Sequence, residues 1–171
     1  MILSLDTSQM VYSLATDDCY KSWSDIQISI SDQLDDINAS KIHVILVNIG
    51  PGRFSGLRSS LAFAKGFARA KKIPIVPISS FDLIAHQVKR EKFSVILDAR
   101  KDQCYYKSYP KSQGIQLIDI ANLDSEMLYG NIAPSTIVEI NAQSMINYYR
   151  ACKPNSVDPN DIEPLYIRQS V

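Results

Sequence analysis

Residues 50–70, GPGRFSGLRSSLAFAKGFARA, constrain this chain more than any other stretch, because they join a buried-strand pattern to a long helix through a turn bracketed by glycines. The apolar run Ile42, Val44, Ile45, Leu46 and Val47 reads as the strand. Gly50 and Gly52 around Pro51 allow a tight turn with a positive φ that a side chain would resist. A helix opening there points unpaired N-terminal amides at one spot, where a phosphate, a carboxylate or an acidic side chain of a partner could be held. A structural turn and an anion site both fit this stretch taken alone.

Two nucleotide motifs fail. A Walker loop needs Gly, four residues, then Gly-Lys-Ser/Thr, whereas Ser55, Gly56 and Leu57 follow here without the lysine. In G-x-G-x-x-G terms Gly56 comes one residue late, and no acidic residue follows about 20 positions on at the end of a second strand. The helix itself has two apolar faces. Leu57, Leu61, Ala64 and Ala68 share one, as in a helix packed on a sheet, while Phe63, Gly66, Phe67 and Ala70 form a neighbouring one. A single sheet cannot cover both, so the second face is buried inside this protein or against another chain. Arg58, Lys65, Arg69 and Lys72 make a basic stripe on the remaining side, which is either a solvated face or an RNA contact.

With 171 residues, 46% of them hydrophobic, the chain can bury a core without staples. Eighteen basic and eighteen acidic residues cancel, which argues against wholesale electrostatic capture of nucleic acid. The three cysteines, Cys19, Cys104 and Cys152, lack paired spacing and read as reduced thiols, each a small core residue. His43 and His86 are far apart and no C-x-x-C occurs, so no metal site is expected. No run is long and apolar enough to span a membrane, and the first residues, MILSLDTSQM, lack the basic start of a signal peptide. The expected location is the cytoplasm.

The patterning predicts strands at 2–5, 11–16 and 20–30, a short helix at 32–38, a strand at 42–47 and the long helix to Lys71. A brief extended piece at 75–76, a helix from Ser79 or Ser80 toward Arg90, and strands at 93–97, 103–109, 115–120 and 136–140 come next. A helix at 143–152 precedes a proline-rich loop and an apolar tail over 165–171. The order strand, turn, strand recurs weakly in the second half. The fold class expected is α/β.

The motifs ILSLDTS, GPGRFSGLRSSLAFAKGFARA, ILDARKDQCYY and EPLYIRQS, in that order, resemble those of the TsaB (YeaZ) family. The resemblance implies a duplicated actin-like ATPase superfold, shared with acetate and sugar kinases. Two lobes are then expected: 1–92, with the Gly50 turn and the interface helix, and 93–171, a shortened second lobe with the tail. It also implies a non-catalytic partner of TsaD in making threonylcarbamoyladenosine, a modified base beside the tRNA anticodon. ATP and metal are then expected on partner subunits and not on this chain alone. The partners implied are a TsaD-like catalytic subunit, a TsaE-like ATPase, tRNA through the complex, and a second copy of this chain when TsaD is absent.

Carried over residue by residue, the helix over 54–71 becomes the partner interface, with Phe54, Leu57, Arg58, Leu61, Ala62, Lys65 and Phe67 as the contacts. Asp6, Thr7 and Ser8 match the first phosphate turn but lack its glycine, so with Gly50 and Gly52 they form a vestigial anion or nucleotide site. After Gly66 only Gly114 and Gly130 remain, too few for a second phosphate loop. No catalytic residue is assigned. Asp6 reads as a turn-capping acid or a metal-organising one, and Asp98 with Arg100 as structural or interface residues. A small-molecule kinase of the same superfold and an RNA-binding accessory module are the competing functions.

Overall fold

The computed structural model describes residues 1–24, 28–110, 114–124 and 127–167. The expected strand residues 25–27 and tail residues 168–171 lie outside the described residues. Two five-stranded mixed sheets, the first packed by α-helices of 18 and 11 residues and the second by one of 8, make an α/β fold. The first contains β1 (Ile2–Asp6), β2 (Tyr12–Thr16), β3 (Tyr20–Trp23), β4 (Val44–Gly50) and β5 (Ile75–Ser79), in the order β3-β2-β1-β4-β5. The second contains β6 (Phe93–Asp98), β7 (Gln103–Tyr109), β8 (Gln116–Asp119), β9 (Leu128–Gly130) and β10 (Thr136–Ile137). Its order, β10-β9-β6-β7-β8, is the first order read from the other edge. In each sheet the leading strand pairs antiparallel with the next one and parallel with the fourth. The weak sequence echo is therefore a repeat of topology.

The two copies differ in one connection. In the first, β4 and β5 are joined by α1 (Phe54–Lys71); in the second, five residues, 131–135, run from β9 to β10. The second lobe is reduced at this crossover. The compact units are not consecutive halves either. Met1–Ser79 groups with Asn141–Leu165, and Ser80 to Ile140 forms the body of the other unit. The last helix, α3 (Ala142–Cys152), starts in a capping box between Asn141 and Ser144, and its first amide donates to Ser13 Oγ of β2 at 2.8 Å. Its buried residues Ala142, Met145 and Ile146 lie against the first sheet.

Several expected elements come out shorter. The third strand stops at Trp23, and 32–38 holds only a 3₁₀ turn, Asp32–Leu34. Asp32, Asp35 and Asp36 leave too few apolar residues there to bury a helix. β9 was missed because its three residues are too few to show a period. The helix α2 (Ser80–Gln87) and β6 to β8 fall where the pattern puts them. Only Cys104 of the three cysteines is a core residue; Cys152 is exposed.

Helix α1 forms because its 18 residues contain no proline and no β-branched side chain and are rich in Ala, Leu, Lys and Arg. It ends in left-handed Lys72, whose N–H bonds the carbonyls of Ala68 and Arg69. Leu57, Leu61, Ala64 and Ala68 are buried, and the last three join the core built from Leu3, Leu5, Ile45, Val47 and Ile75. Phe63 and Phe67 are half-buried against that same core and stack at 5.7 Å. The expected second apolar face is thus divided: its aromatics belong to this chain's core, and Gly66 and Ala70 are exposed.

Leu61→Ala is expected to destabilise the protein by about 2–5 kcal/mol and Ala62→Ser by less than about 0.5 kcal/mol, read as urea midpoints with unchanged slope. Equal effects at the two neighbours would contradict this orientation of α1.

Candidate functional site

The β1–β2 turn and the entry to α1 meet in a small polar cluster. Asp6 closes β1 and, like Thr7 and Ser8, is all but fully buried. Its Oδ1 accepts from the Ser8 amide at 2.9 Å and from Asn48 Nδ2 at 3.2 Å. Asn48, fully buried on β4, also donates to Ser8 Oγ at 3.0 Å and accepts from the Gly50 amide at 2.7 Å. One amide side chain therefore ties the β1–β2 turn to the glycine turn. Gly50 has φ +100° and precedes a cis Pro51, a backbone that favours glycine.

The two turns then close on the helix. Thr7 Oγ1 donates to the Gly56 carbonyl at 2.7 Å, and the Ser8 carbonyl accepts from the Arg53 amide at 2.8 Å. Gly52 lies against Ser8. A Cβ on Gly56 would collide with the Thr7 carbonyl oxygen, so a side chain there would have to displace backbone. The helix entry thus faces carbonyl oxygens of its own chain. Asp6, Thr7, Ser8, Gly50 and Gly52 come together as the sequence reading expected, and their mutual bonds make a latch.

Asp6 Oδ2 has no hydrogen-bond partner. Burial pushes this carboxyl above its ordinary value, and the hydrogen bonds from Ser8 and Asn48 pull the other way. The group is therefore poised to hold a proton more readily than an exposed aspartate. Among the described residues no group of three or more His, Cys, Asp or Glu is placed to hold a metal ion.

The expected interface residues divide by burial. Leu57 and Leu61 are 6% and 4% exposed and serve this chain's own core, so they offer no free surface. Phe54 is 56% exposed, and the Arg58 guanidinium lies 3.8 Å from its ring centroid. Arg58 and Ala62 are exposed, Lys65 and Phe67 half-buried. With Ser55, Ser59, Gly66 and Ala70, Ala62 forms a ridge of small residues along the solvent side of α1.

The second unit repeats the turn. Asp98 Oδ1 accepts from the Arg100 amide at 2.8 Å, as Asp6 does from Ser8, and the Asp98 amide donates to Asn131 Oδ1 at 2.9 Å. Asn131 directly follows β9, whereas Asn48 lies inside β4, two residues before its end. Asp98 and Arg100 also form an ion pair at 3.4 Å. Sequence reasoning missed Asn48, although a lone amide in the apolar strand VILVNIG is a usable signal. It also missed Met10 and Val11, exposed at 68% and 54% on the β1–β2 turn.

A protein-family model described as "TsaD: tRNA N6-adenosine threonylcarbamoyltransferase" matches residues 26–126, more than half of the chain. An uncharacterized protein of Mycobacterium tuberculosis (strain ATCC 25618 / H37Rv) is 32% identical over 73 residues, 43% of this chain and 34% of that protein. The tRNA threonylcarbamoyladenosine biosynthesis protein TsaB of Buchnera aphidicola subsp. Schizaphis graminum is 29% identical over 77 residues, 43% of this chain and 37% of the relative. The matched stretches span about a third of the length of these curated relatives. Among solved structures, YeaZ from Pseudomonas aeruginosa superposes with a TM-score of 0.68 at 19% identity, over 97% of this chain and 99% of that one. A structure described as an uncharacterized protein with similarity to peptidase YEAZ from Pseudomonas aeruginosa gives 0.72 at 18%, over 98% and 99%. The fold is therefore the actin-like ATPase fold, and the TsaB and YeaZ names are those the motifs resemble.

The two glycines inside α1 should respond oppositely to alanine. Gly56→Ala is expected to cost about 1–3 kcal/mol or more through its clash with Thr7, whereas Gly66→Ala, in open space, should add about 1 kcal/mol of helix propensity. Calorimetric unfolding decides it; the same sign at both sites would contradict the latch. For Asp6, a raised folded pKa means its stabilising contribution is complete below the ordinary value and is lost as pH rises through the folded one. Asp6→Asn should therefore gain stability relative to the parent as the pH rises above the ordinary carboxylate range. A difference independent of pH would show that Asp6 does not titrate upward.

Proposed function

The chain belongs to the tRNA N6-adenosine threonylcarbamoyltransferase (TsaD) family, and from that premise we propose that it is a non-catalytic member, a scaffold and activator for a TsaD-like threonylcarbamoyltransferase. That subunit would carry out transfer to the adenosine beside the tRNA anticodon. The relatives named for tRNA threonylcarbamoyladenosine biosynthesis support this reading. The observation that carries it is Gly66. A glycine inside a helix costs about 1 kcal/mol against alanine, and among the described residues nothing beyond the helix's own neighbouring backbone comes within 4 Å of where its Cβ would be. Its own fold gives no reason for a glycine there, whereas an incoming helix backbone does.

The mechanism is a population shift: contacts made only with the partner's competent conformation raise the share of that conformation. Exposed Phe54, Arg58 and Ala62, with Lys65 and Phe67 at the edge, would supply those contacts. ATP and metal would reside on partner subunits, a TsaE-like ATPase would join the assembly, and tRNA would be met through the complex in the cytoplasm. No helix among the described residues is long and apolar enough to cross a membrane. The kinase alternative fares worse on geometry. Gly130 is packed against the Ile96 backbone within the second sheet, which leaves no room for a phosphate there.

Light scattering after size exclusion should detect a stoichiometric complex with the TsaD-like protein of the same cell. Phe54→Ala is expected to weaken it by about 2 kcal/mol or more, and Gly66→Glu to abolish it. A missing complex with the parent chain, or one indifferent to both changes, would refute the scaffold.

A further inference from the structure

Beside the latch, the first unit holds a cavity of 380 Å³, within the roughly 300–1,000 Å³ of small-ligand sites. Thr7 is the one latch residue that lines it. Its floor is apolar and largely aromatic: Tyr12, Trp23 and Ile30 are buried, and Phe63 is half-buried. These side chains belong to the first unit's core or pack against it, and the Tyr12 and Trp23 rings meet edge to face at 6.1 Å. The exposed part of the lining is mostly hydroxyl: Ser29 and Ser31, and Ser55 and Ser59, one helical turn apart on α1.

No charged residue lines the cavity. A phosphate or carboxylate brought there would lose water with no cation to answer it, and an ammonium group would find no carboxylate. An occupant is therefore uncharged. The aromatic floor suits a flat ring body, which packs against Tyr12, Trp23 and Phe63 by face or edge. Trp23 adds a demand of its own. Its indole N–H is buried without a hydrogen-bond partner, a state that native folds seldom leave unexplained. Indole donates only, so what it lacks is an acceptor. The serine hydroxyls both donate and accept, and so tolerate varied polar substituents at the open end.

We propose that this cavity binds an uncharged planar heteroaromatic compound of one or two fused rings, with a ring nitrogen or carbonyl at the Trp23 N–H and its polar substituents among the serines. A saccharide fits less well, because its hydroxyls would ring an apolar floor that offers one orphan donor. None of the lining residues is among the partner contacts named above, so the cavity and the scaffold stand or fall separately.

Trp23 is the chain's one tryptophan, so isotopically labelled protein gives a single indole N–H signal to follow by nuclear magnetic resonance. The probes are caffeine, which is uncharged and carries acceptors but no donors, and theophylline-7-acetate, the same ring system bearing a carboxylate. Caffeine is expected to shift the indole signal saturably to lower field, as a new hydrogen bond does, with a dissociation constant of about 1 mM or tighter, the scale for a ligand of its size. The carboxylate should bind at least tenfold more weakly. Ser59→Phe, which brings a ring to the open end from an exposed helical position, should weaken caffeine at least tenfold with the far-ultraviolet spectrum retained. The comparison of the two probes uses the parent chain, so misfolding of the variant would not obscure it. No saturable shift with caffeine overturns the site. A carboxylate that binds as tightly as caffeine overturns the uncharged occupant, and a shift produced by glucose in place of caffeine overturns the heteroaromatic one. Caffeine binding unchanged in folded Ser59→Phe puts the ligand elsewhere and overturns the cavity.

Discussion

The Thr7 carbonyl rests directly on Gly56, and most of what the first unit can and cannot do depends on that contact. It brings the β1–β2 turn onto the first turn of α1, where Ser8 takes the Arg53 amide and Thr7 bonds the Gly56 carbonyl. Asn48 extends the contact to β4 by bonding Asp6, Ser8 and Gly50 together. In a phosphate-gripping turn the backbone amides face outward to a ligand. Here the peptide groups are used between turn and helix. The polar residues Asp6, Ser8 and Asn48 bond one another.

Fixing the helix entry also fixes which side of α1 faces the sheet. Leu57, Leu61, Ala64 and Ala68 go inward, so Phe54, Arg58, Ala62, Gly66 and Arg69 must face outward. The latch and the outward face of α1 are consequently two ends of one constraint. The second unit keeps the Asx-type turn at Asp98 and the same strand order, yet five residues replace the crossover helix. Among the described residues only the first unit has a helix as long as α1.

Much of this was legible in the sequence because it rests on strong local signals. The apolar run before Gly50, the glycine spacing and the 3.6-residue periodicity over 54–71 gave strand, turn and helix. Asp6, Thr7 and Ser8 were recognisable beside Gly50 and Gly52 through a resemblance of motifs. The use of that cluster was less legible, since collision between Gly56 and Thr7 depends on residues far apart in the chain. Leu57 and Leu61 show the limit of assigning contacts by analogy: the same periodicity that marks a helix also commits these leucines to the inner face. Helix α3 joined the first unit through a Ser13 hydrogen bond across more than a hundred residues, which no local pattern encodes.

The central claim is that this chain acts by binding and not by chemistry of its own. Its most direct test is reconstituted threonylcarbamoyl transfer to tRNA by the TsaD-like protein, with an ATP-loaded TsaE-like subunit and an adenylate donor, with and without this chain. The account predicts that transfer depends on the chain, that Asp6→Asn supports it as well as the parent, and that Gly66→Glu does not. Transfer that proceeds without the chain, or that is lost in Asp6→Asn while the complex still forms, would contradict it.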